Sequence, residues 1–480
     1  MNLAKTKTRF APSPSGYIHL GNVRTALFSA LVAARDHGVF LLRIEDTDQT
    51  RSSTDYTDAL KEDLVWLGMP WQEGPDVGGE HGPYHQSQRA EIYARYYAEL
   101  EQRDLAYPCF CSEHQLALSR KAQIAASKPP RYAGTCARLT PPQIQAKLQE
   151  GVQPALRFRV PQNNSIRFDD AVRGEQVFSG ADIGDFIIRR ADGTPAFFFC
   201  NAIDDALMHV THVLRGEDHL SNTPRQILLL EALKLRVPSY GHISMIVGSD
   251  GAPLSKRTGS ESVRELRASG YFPLAVVNHL ARLGHAYESN AYMTFEELAA
   301  RFDTAKLGRS PARHDVNQLI HWQHEAVAKA PVEDLWKWMG PEVQRLVPPD
   351  QMHEFVDAVR PNITQPQDAL HWAQVIYGDQ LVLNPDAKKI VQLAGVPFFE
   401  AALRAWGEHH DNFSALAEQV KTDTGVKGKH LFHPLRVALT GEVHGPEMAR
   451  LLKLLPLEES RRRLQACAGV TTPPLRGTPP

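Results

Sequence analysis

The chain has 480 residues, a length that accommodates about two to four domains with sizeable hydrophobic cores. Hydrophobic residues make up 42% and charged residues 22% of the chain, as is typical of a globular protein and not of a disordered one. The N-terminus lacks an apolar signal region and no apolar run is long enough to cross a bilayer, so we expect a cytoplasmic protein; the net charge of −2 leaves a nucleic-acid partner open.

Residues 9–22, RFAPSPSGYIHLGN, predict a short strand, a turn rich in proline and glycine, and the start of a helix. Asn22 is the predicted N-cap, because apolar residues follow it at helical spacing over residues 23–34. The turn would bring Gly16, His19 and Gly21 to the helix N-terminus, where free N–H groups and the helix dipole favour an anion such as phosphate. An ordinary strand–helix turn with a surface histidine explains these residues equally well.

The next strand is predicted at residues 39–44, which are apolar except for Arg43 and lead into the acidic run EDTD. Such a strand is typical of a parallel sheet covered on both faces, and ligands collect at the carboxyl ends of parallel strands. Glu45 is therefore expected to face the same crevice as His19. An amphipathic helix is predicted at residues 56–67.

The pattern changes after residue 78, and we interpret residues 79–182 as an insertion within a split α/β domain. The insertion contains a predicted helix at 91–103 and a β-rich stretch at 155–178. Beyond it, residues 186–190 and 195–199 have the pattern of a hairpin, and a buried strand at 209–214 ends at Arg215.

Three of the five cysteines, Cys109, Cys111 and Cys136, fall within the insertion. A thiolate-rich cluster suits Zn²⁺, which prefers tetrahedral sulfur and nitrogen ligands. Three buried or free cysteines are the alternative explanation, and the spacing alone leaves both open.

A loop at residues 249–259, SDGAPLSKRTG, carries the adjacent cations Lys256 and Arg257. Such a pair can neutralise charge that develops on a polyphosphate during group transfer, although a solvated turn is the commoner explanation of this motif alone. From residue 261 onward the sequence is predicted to be helical, with amphipathic segments at 274–283, 295–301, 332–339 and 451–464. The run RRR at 461–463 is predicted to lie on a solvated helix face, and residues 471–480 are predicted to be disordered.

The early histidine turn and the later LSKR at residues 254–257 resemble the HIGH and KMSKS signatures of class I aminoacyl-tRNA synthetases. More specific motifs resemble those of glutamyl-tRNA synthetases of the bacterial type, and they span nearly the whole chain. These motifs are RFAPSPSG (9–16), RIEDTD (43–48), EGPDVGG (73–79), GPYHQSQR (82–89), VLRGEDHL (213–220), PLRVALTG (434–441) and HGPE (444–447). The resemblance implies ATP-dependent activation of L-glutamate to glutamyl-adenylate, followed by transfer to the 3′-terminal adenosine of glutamate tRNA.

The resemblance also implies how glutamate is bound, with two carboxylates and one ammonium group to be satisfied. Arg9 and Arg215 would hold the carboxylates, because a planar guanidinium group can bond both oxygens. Glu45 would bind the α-ammonium group, and Ser13 and Asn201 would add polar contacts.

The nucleotide is expected to be ATP with Mg²⁺, and the resemblance implies that His19, Lys256 and Arg257 stabilise the charge that develops on its phosphates. The residues implied to contact ATP are Gly16, His19, Gly21, Asn22, Glu217, Leu254, Ser255 and Lys256.

Two positions depart from the family pattern. Phe197 stands where many relatives have a tyrosine whose hydroxyl helps to bind the side-chain carboxylate, so glutamate binding is expected to be weaker unless a neighbour compensates. Pro253 stands where the family's loop begins with a lysine, which would slow activation modestly.

The implied ligands of one structural Zn²⁺ are Cys109, Cys111, Tyr132 and Cys136. Some glutamyl-tRNA synthetases end this motif with a histidine two residues after the last cysteine, but Arg138 occupies that position here. Related proteins that glutamylate a modified base in tRNA instead have a tyrosine four residues before the last cysteine, as this chain does.

The expected fold class is α/β, with a Rossmann-like parallel-sheet catalytic domain at residues 1–78 and 183–245 split by an α+β insertion at 79–182 that binds the acceptor stem. A stem-contact region with the KMSKS-like loop is assigned to residues 246–320, and an all-helical anticodon-binding domain to residues 321–470. These helices, in place of β-barrels, distinguish the chain from most glutaminyl enzymes.

The expected partners are glutamate tRNA, through its acceptor stem and anticodon arm, L-glutamate and ATP, and the protein is expected to be a monomer. The family generally needs bound tRNA before it activates glutamate. Two alternatives are a tRNA-modifying glutamylase, which would lack the helical domain, and a non-catalytic or restricted-specificity tRNA-binding paralogue.

Overall fold

The structure is a computed structural model that describes residues 5–48, 52–254, 261–378 and 381–469. It divides into two compact units, the first made of Met1–Arg267 and Pro273–Leu319 and the second of Ala268–Phe272 and Ile320–Pro480. The division after Leu319 lies close to the predicted boundary after residue 320. The functional assignments of the five predicted ranges remain predictions, and the tail at 471–480 lies outside the described residues.

The strands are two to six residues long. They are β1 Lys7–Phe10, β2 Val39–Leu42, β3 Ala106–Cys109, β4 Ala155–Phe158, β5 Ser165–Asp170, β6 Gly174–Ser179, β7 Phe186–Arg189, β8 His212–Gly216, β9 Ser239–Ile243, β10 Ile246–Val247 and β11 Ala312–Arg313.

The helices follow the apolar periodicity of the sequence. Those that begin in the first unit are α1 Leu20–Arg35, α2 Thr54–Trp66, α3 Ala90–Gln102, α4 Glu113–Ala125, α5 Pro141–Gln149, α6 Gly180–Ile183, α7 Phe197–Leu207, α8 Thr223–Ala232, α9 Val263–Ala268, α10 Pro273–Arg282, α11 Phe295–Ala300 and α12 Val316–Lys329. Those of the second unit are α13 Val332–Met339, α14 Pro341–Leu346, α15 Met352–Val359, α16 Pro366–Tyr377, α17 Pro385–His409, α18 Phe413–Thr424, α19 Lys429–Thr440, α20 Met448–Leu454 and α21 Leu457–Ala468.

A six-stranded sheet organises the first unit, in the order β2-β1-β8-β9-β5-β6. Every neighbouring pair is parallel except the β5–β6 hairpin. Because the strands on either side of β1 run parallel to it, their carboxyl ends meet at one edge, where α1 also begins. The predicted fold class, α/β followed by a helical region, is confirmed.

The sheet topology differs from the predicted limits of the insertion. Strands β5 and β6 fall within residues 79–182, yet Asp170 of β5 pairs with Tyr240 of β9, so the hairpin extends the main sheet. The other two strands of that range, β3 and β4, form an antiparallel sheet with β7, which lies beyond residue 182. Pairing between distant strands leaves no local signal, and the composition change at residue 78 could not locate it.

Two local predictions are wrong. The N-cap of α1 is His19, whose extended backbone and Nδ1 atom, 3.2 Å from the amide nitrogen of Gly21, start the helix at Leu20; Asn22 lies within the first turn. The predicted hairpin at 186–199 has only one strand, because residues from Phe197 onward form α7 and only an isolated bridge joins Arg189 to Pro195. A short, wholly apolar run is compatible with a buried helix as well as a strand.

The second unit has its own apolar core, to which Trp372, Phe399, Leu435, Leu451 and Leu464 contribute. Within the RRR run the prediction of a solvated face is wrong for Arg463, which is buried, while the other two arginines are exposed. Among the residues that the structure describes, no helix has both the length and the apolar character needed to cross a membrane.

Candidate functional site

A cavity of 680 Å³ opens at the edge of the sheet where β1 and β8 end and α1 begins. Most of the predicted site residues line it together. They are Arg9, Ser13, Gly16, His19, Gly21, Asn22, Glu45, Phe197, Asn201, Arg215 and Leu254. Ser255, Lys256 and Arg257 lie outside the described residues, so the structure gives no position for these predicted contacts.

Among the described residues predicted to contact glutamate or ATP, Glu217 is the one that does not line the cavity. Its Oε2 atom is paired with Arg173, in the turn between β5 and β6, and its Oε1 atom accepts a hydrogen bond from the amide of Met245 at 2.8 Å. Met245 itself lines the cavity, so Glu217 is hydrogen-bonded to a residue of the cavity wall.

One half of the cavity, around Arg9 and Glu45, borders a buried network of charges. Arg43 has no exposed surface; its Nη1 atom donates to Asp205 Oδ1 at 2.7 Å and its Nη2 atom to Glu45 Oε1 at 3.1 Å. Arg9 reaches the same Asp205 oxygen through Nε at 3.4 Å. Burial alone would raise the pKa of Asp205, but Arg43 and Arg9 outweigh it and hold that pKa below its usual value. Asp205 therefore stays ionised and fixes both guanidinium groups.

Glu45 is positioned by Asn201, whose Nδ2 atom donates to Glu45 Oε1 at 2.5 Å. Burial raises the pKa of Glu45 in spite of Arg43 and Arg9 nearby. A carboxylate whose ionised form is penalised by burial gains from a cationic ligand beside it. Glu45 is thus suited to an ammonium group.

Arg215 is hydrogen-bonded at two of its three guanidinium nitrogens. Its Nη2 atom donates to Thr223 Oγ1 at 2.6 Å and to Gln226 Oε1 at 2.7 Å, and its Nε atom donates to His242 Nε2 at 3.2 Å. Its Nη1 atom is buried and, among the described residues, has no hydrogen-bond partner. Burial lowers the pKa of Arg215 to about 10, so the group remains a cation at neutral pH. An unsatisfied buried donor costs about 1–3 kcal/mol, which an entering carboxylate oxygen would recover.

His19 shapes the other half of the cavity, at the start of α1. Because its Nδ1 atom accepts from the amide of Gly21, the proton of the neutral ring lies on Nε2, which can donate to a phosphate oxygen. A Cβ atom at Gly21 would lie only 3.1 Å from Cε1 of His19, so the glycine leaves room for this ring position. The site therefore combines a donor imidazole with the N-terminus of a 16-residue helix.

The supporting residues Arg43, Asp205, Thr223, Gln226 and His242 were not identified from the sequence. The aspartate pair at 204–205, in the last turn of the mainly apolar and buried helix α7, is the signal that could have indicated buried ionic partners. The other partners lie on different elements and leave no local pattern.

The cysteine cluster lies apart from this cavity, between β3 and the short 3₁₀ helix at Thr135–Arg138. The three Sγ atoms of Cys109, Cys111 and Cys136 lie within 4.8 Å of one another. Tyr132 Oη is 3.5 Å from Sγ of Cys109 and 3.4 Å from Sγ of Cys111, and the Sγ atoms of Cys111 and Cys136 are 3.6 Å apart. Zinc–ligand bonds of about 2.0–2.3 Å in tetrahedral geometry separate the ligands by about 3.5–3.8 Å.

A charged neighbour supports the same cluster. The Nε atom of Arg157 donates to Sγ of Cys109 at 3.1 Å, and its guanidinium carbon lies 3.8 Å from the centre of the Tyr132 ring. Burial raises the pKa of Cys109, but hydrogen bonds from Tyr132 and Arg157 outweigh burial and leave that pKa below its usual value. The donor set and its spacing fit a tetrahedral zinc ion.

Comparisons with known proteins agree with this geometry. Residues 5–321 match the family described as "tRNA synthetases class I (E and Q), catalytic domain", and residues 330–468 match "Anticodon binding domain". The chain is 59% identical over 467 residues to "Glutamate--tRNA ligase 2" of Nitrosococcus oceani, covering 97% of this chain and 99% of the relative. It is 54% identical over 478 residues to "Glutamate--tRNA ligase 2" of Alkalilimnicola ehrlichii, covering 98% and 100%.

Solved structures give the same result at lower identity. A glutamate–tRNA synthetase from Elizabethkingia anophelis superposes with a TM-score of 0.85 at 27% identity, covering 97% of this chain and 99% of that one. A glutamate tRNA ligase from Elizabethkingia meningosepticum, solved in complex with its amino acid, gives a TM-score of 0.86 at 26% identity with the same coverage.

Proposed function

The chain belongs to the class I tRNA synthetases of the glutamate and glutamine group, and from that premise we propose that it is a glutamate–tRNA ligase. It activates L-glutamate with ATP and transfers the glutamyl group to the 3′-terminal adenosine of glutamate tRNA.

The observation that carries the proposal is the charge arrangement of the 680 Å³ cavity. Five of the described charged residues line it, but Arg24 donates to two backbone carbonyls and the side chain of Asp218 is 60% exposed. The buried charges that remain are the guanidinium groups of Arg9 and Arg215 and the carboxylate of Glu45. Glutamate has two carboxylates and one ammonium group, so its charges are the complement of these three. The unpartnered Nη1 atom of Arg215 gives a carboxylate oxygen a place that the described part of the chain does not fill.

Arg9, Arg215 and Glu45 hold glutamate so that its α-carboxylate attacks the α-phosphorus of ATP in line, and pyrophosphate leaves. His19 donates from Nε2 to a phosphate oxygen while the first amides of α1 face the same charge. Lys256 and Arg257, outside the described residues, are assigned by the family motif to the leaving phosphates. Mg²⁺, which accompanies the nucleotide, would neutralise charge on these phosphates. A ribose hydroxyl of the terminal adenosine then attacks the carbonyl carbon of glutamyl-adenylate and releases AMP.

One structural Zn²⁺ is proposed at Cys109, Cys111, Tyr132 and Cys136. The ligand spacing supports it, and such an ion would hold the loops of that region together without entering the reaction.

Residues 79–182 are proposed to bind the acceptor stem and residues 321–470 the anticodon arm, in a monomer that works in the cytoplasm. The match of residues 330–468 to an anticodon-binding domain supports the second assignment. It also disfavours the tRNA-modifying glutamylase, which lacks such a domain.

The test is aminoacylation with purified protein, ATP, Mg²⁺, labelled glutamate and separate transcripts of glutamate tRNA and glutamine tRNA. We expect turnover with glutamate tRNA, and at least 100-fold lower kcat/KM when Arg215→Met removes the carboxylate-binding group (~3 kcal/mol). Absence of turnover with both transcripts would overturn the proposal in favour of a tRNA-binding paralogue, which would bind tRNA without charging it.

A further inference from the structure

A fully buried pair lies directly behind Arg215. Asp170, the last residue of β5, and His242, on β9, each have side chains with no exposed surface. The Nδ1 atom of His242 lies 2.5 Å from Asp170 Oδ2. Its Nε2 atom accepts from Nε of Arg215 at 3.2 Å and lies 2.9 Å from Thr223 Oγ1. A chain of hydrogen bonds therefore runs from Asp170 through the imidazole to the guanidinium group.

The chain of hydrogen bonds fixes the tautomer of the imidazole. Burial lowers the pKa of His242, so the ring is neutral and has one proton. The Oδ1 atom of Asp170 accepts three backbone N–H bonds, from Val172 at 3.0 Å, Arg173 at 2.8 Å and His242 at 3.1 Å, which hold the carboxylate ionised and in place. An ionised carboxylate only accepts, so the imidazole proton lies on Nδ1 and the lone pair on Nε2 faces Arg215.

We propose that Asp170 and His242 are positioning residues for glutamate binding: Asp170 fixes the tautomer of His242, and His242 fixes the guanidinium plane of Arg215 and with it the direction of the unpartnered Nη1 atom. The inference rests on the proposed role of Arg215 in holding a substrate carboxylate.

The orientation of the Arg215 guanidinium group depends on how many of its nitrogens are held. Thr223 and Gln226 both bind its Nη2 atom, so without His242 the guanidinium group is hydrogen-bonded at one nitrogen, and its other restraint is the Tyr240 ring, whose centre lies 5.2 Å from the guanidinium carbon. The bond at Nε adds a second fixed nitrogen, and two fixed nitrogens define the direction of the third. A buried donor that must meet a carboxylate oxygen at hydrogen-bond distance loses binding energy when this direction changes.

Asp170→Asn tests the pair at nearly constant shape. The three backbone N–H groups keep the amide oxygen of Asn at the Oδ1 position, so its NH₂ group faces Nδ1 of His242. The imidazole proton then moves to Nε2, where Thr223 Oγ1 at 2.9 Å can accept it, and Nε of Arg215 loses its acceptor. We expect the KM for glutamate to rise about tenfold with kcat and the KM for ATP within about twofold. Asp169→Asn removes the same charge from the exposed neighbour on β5 and is the matched control.

His242→Gln separates positioning from general stability. A glutamine side chain can place an amide oxygen near the Nε2 position and has no ring proton to move, so it should largely replace the histidine. In that background Asp170→Asn should raise the KM for glutamate by less than about twofold. Equal effects of Asp170→Asn in both backgrounds, or parallel losses for glutamate and ATP, would overturn the proposal and indicate a structural role only.

A readout without catalysis keeps this inference distinct from the proposed function. Nitrogen-15 chemical shifts of the histidine rings, with the His242 signals assigned by their absence from His242→Gln, report which ring nitrogen carries the proton. We expect a protonated Nδ1 in the unmodified protein and a protonated Nε2 in Asp170→Asn. A protonated Nε2 in the unmodified protein overturns the inference, whereas failure to charge tRNA with the expected tautomer present overturns the proposed function and leaves the geometry standing.

Discussion

Phe197 lines the cavity at a position where the family resemblance leads us to expect a tyrosine. Its ring centre lies 5.3 Å from that of His219, another lining residue, so the wall is intact but lacks a hydroxyl donor at this point. We predict that Phe197→Tyr lowers the KM for glutamate about tenfold, because a hydrogen bond to a carboxylate contributes about 1.5 kcal/mol. Initial rates of tRNA charging at varied glutamate concentration measure the change.

The adjacent phenylalanine provides the control for this substitution. Phe198 does not line the cavity and packs against Phe186 and Arg225, so Phe198→Tyr should leave the KM for glutamate unchanged. An unchanged KM in Phe197→Tyr would mean that another group already satisfies the side-chain carboxylate.

At the scale of single elements, Arg463 of α21 joins two other helices of the second unit. Its Nη1 atom donates to the carbonyl of Val375 at 2.8 Å and to that of Leu439 at 2.7 Å, in the last turns of α16 and α19. We predict that Arg463→Gln destabilises this unit by about 2–4 kcal/mol, because both carbonyls lose a charged donor. The melting temperature of the unit should fall by about 5–10 °C in calorimetry.

Arg461 is the matched control, since it lies two positions earlier on the same helix and is exposed. Arg461→Gln should leave the melting temperature within about 1 °C, as expected for a solvated surface residue. If Arg463→Gln melted like this control, the carbonyl contacts would have no stabilising role.

The cysteine cluster beside β3 gives a prediction about bound metal. Cys111→Ser should reduce bound zinc, measured by plasma mass spectrometry after gel filtration, from about one ion per chain to a small fraction. Cys467→Ser removes a buried thiol from α21, outside the cluster, and should keep the metal. Equal zinc contents in the two variants would contradict the ligand set.

Elements in which apolar residues recur at helical spacing could be predicted from the sequence, whereas the structure of short apolar runs could not. The helix predicted at residues 332–339 is α13, and that predicted at 91–103 is α3 displaced by one residue, because helical spacing specifies a buried face. Phe197 was placed in a strand because three consecutive phenylalanines fit either structure. The β5–β6 hairpin was placed in the insertion because its pairing with β9 joins residues 70 positions apart, Asp170 and Tyr240.

The candidate site shows the same division between local and distant information. Residues carried by motifs, such as Arg9, His19 and Arg215, lie together in the cavity as expected. Their supports, such as Asp170 and His242, were not found, because each is meaningful only beside a partner on another strand. Residue identity at the cavity surface could thus be predicted, whereas the buried bonds that orient it required the structure.

At the scale of the whole molecule, the β5–β6 hairpin connects residues 79–182, which are proposed to bind the acceptor stem, with the main sheet. Its turn contacts the cavity wall through Arg173, whose Nη2 atom pairs with Glu217 and donates to the carbonyl of Arg309 at 3.2 Å. Glu217 is proposed to contact ATP, yet in this state its two oxygens are bound to Arg173 and to the amide of Met245. A change in the turn on tRNA binding would free Glu217 for the nucleotide.

ATP–pyrophosphate exchange tests this coupling. For the unmodified protein we predict negligible exchange without tRNA and strong exchange with glutamate tRNA. Arg173→Gln should raise the exchange without tRNA at least about fivefold, because the neutral amide binds Glu217 about 1 kcal/mol more weakly than the guanidinium group does. Arg167→Gln is the control, since it breaks an exposed ion pair with Glu175 on the same hairpin. If Arg173→Gln and Arg167→Gln both left tRNA-free exchange at the unmodified level, the Arg173–Glu217 pair would not be what makes activation depend on tRNA.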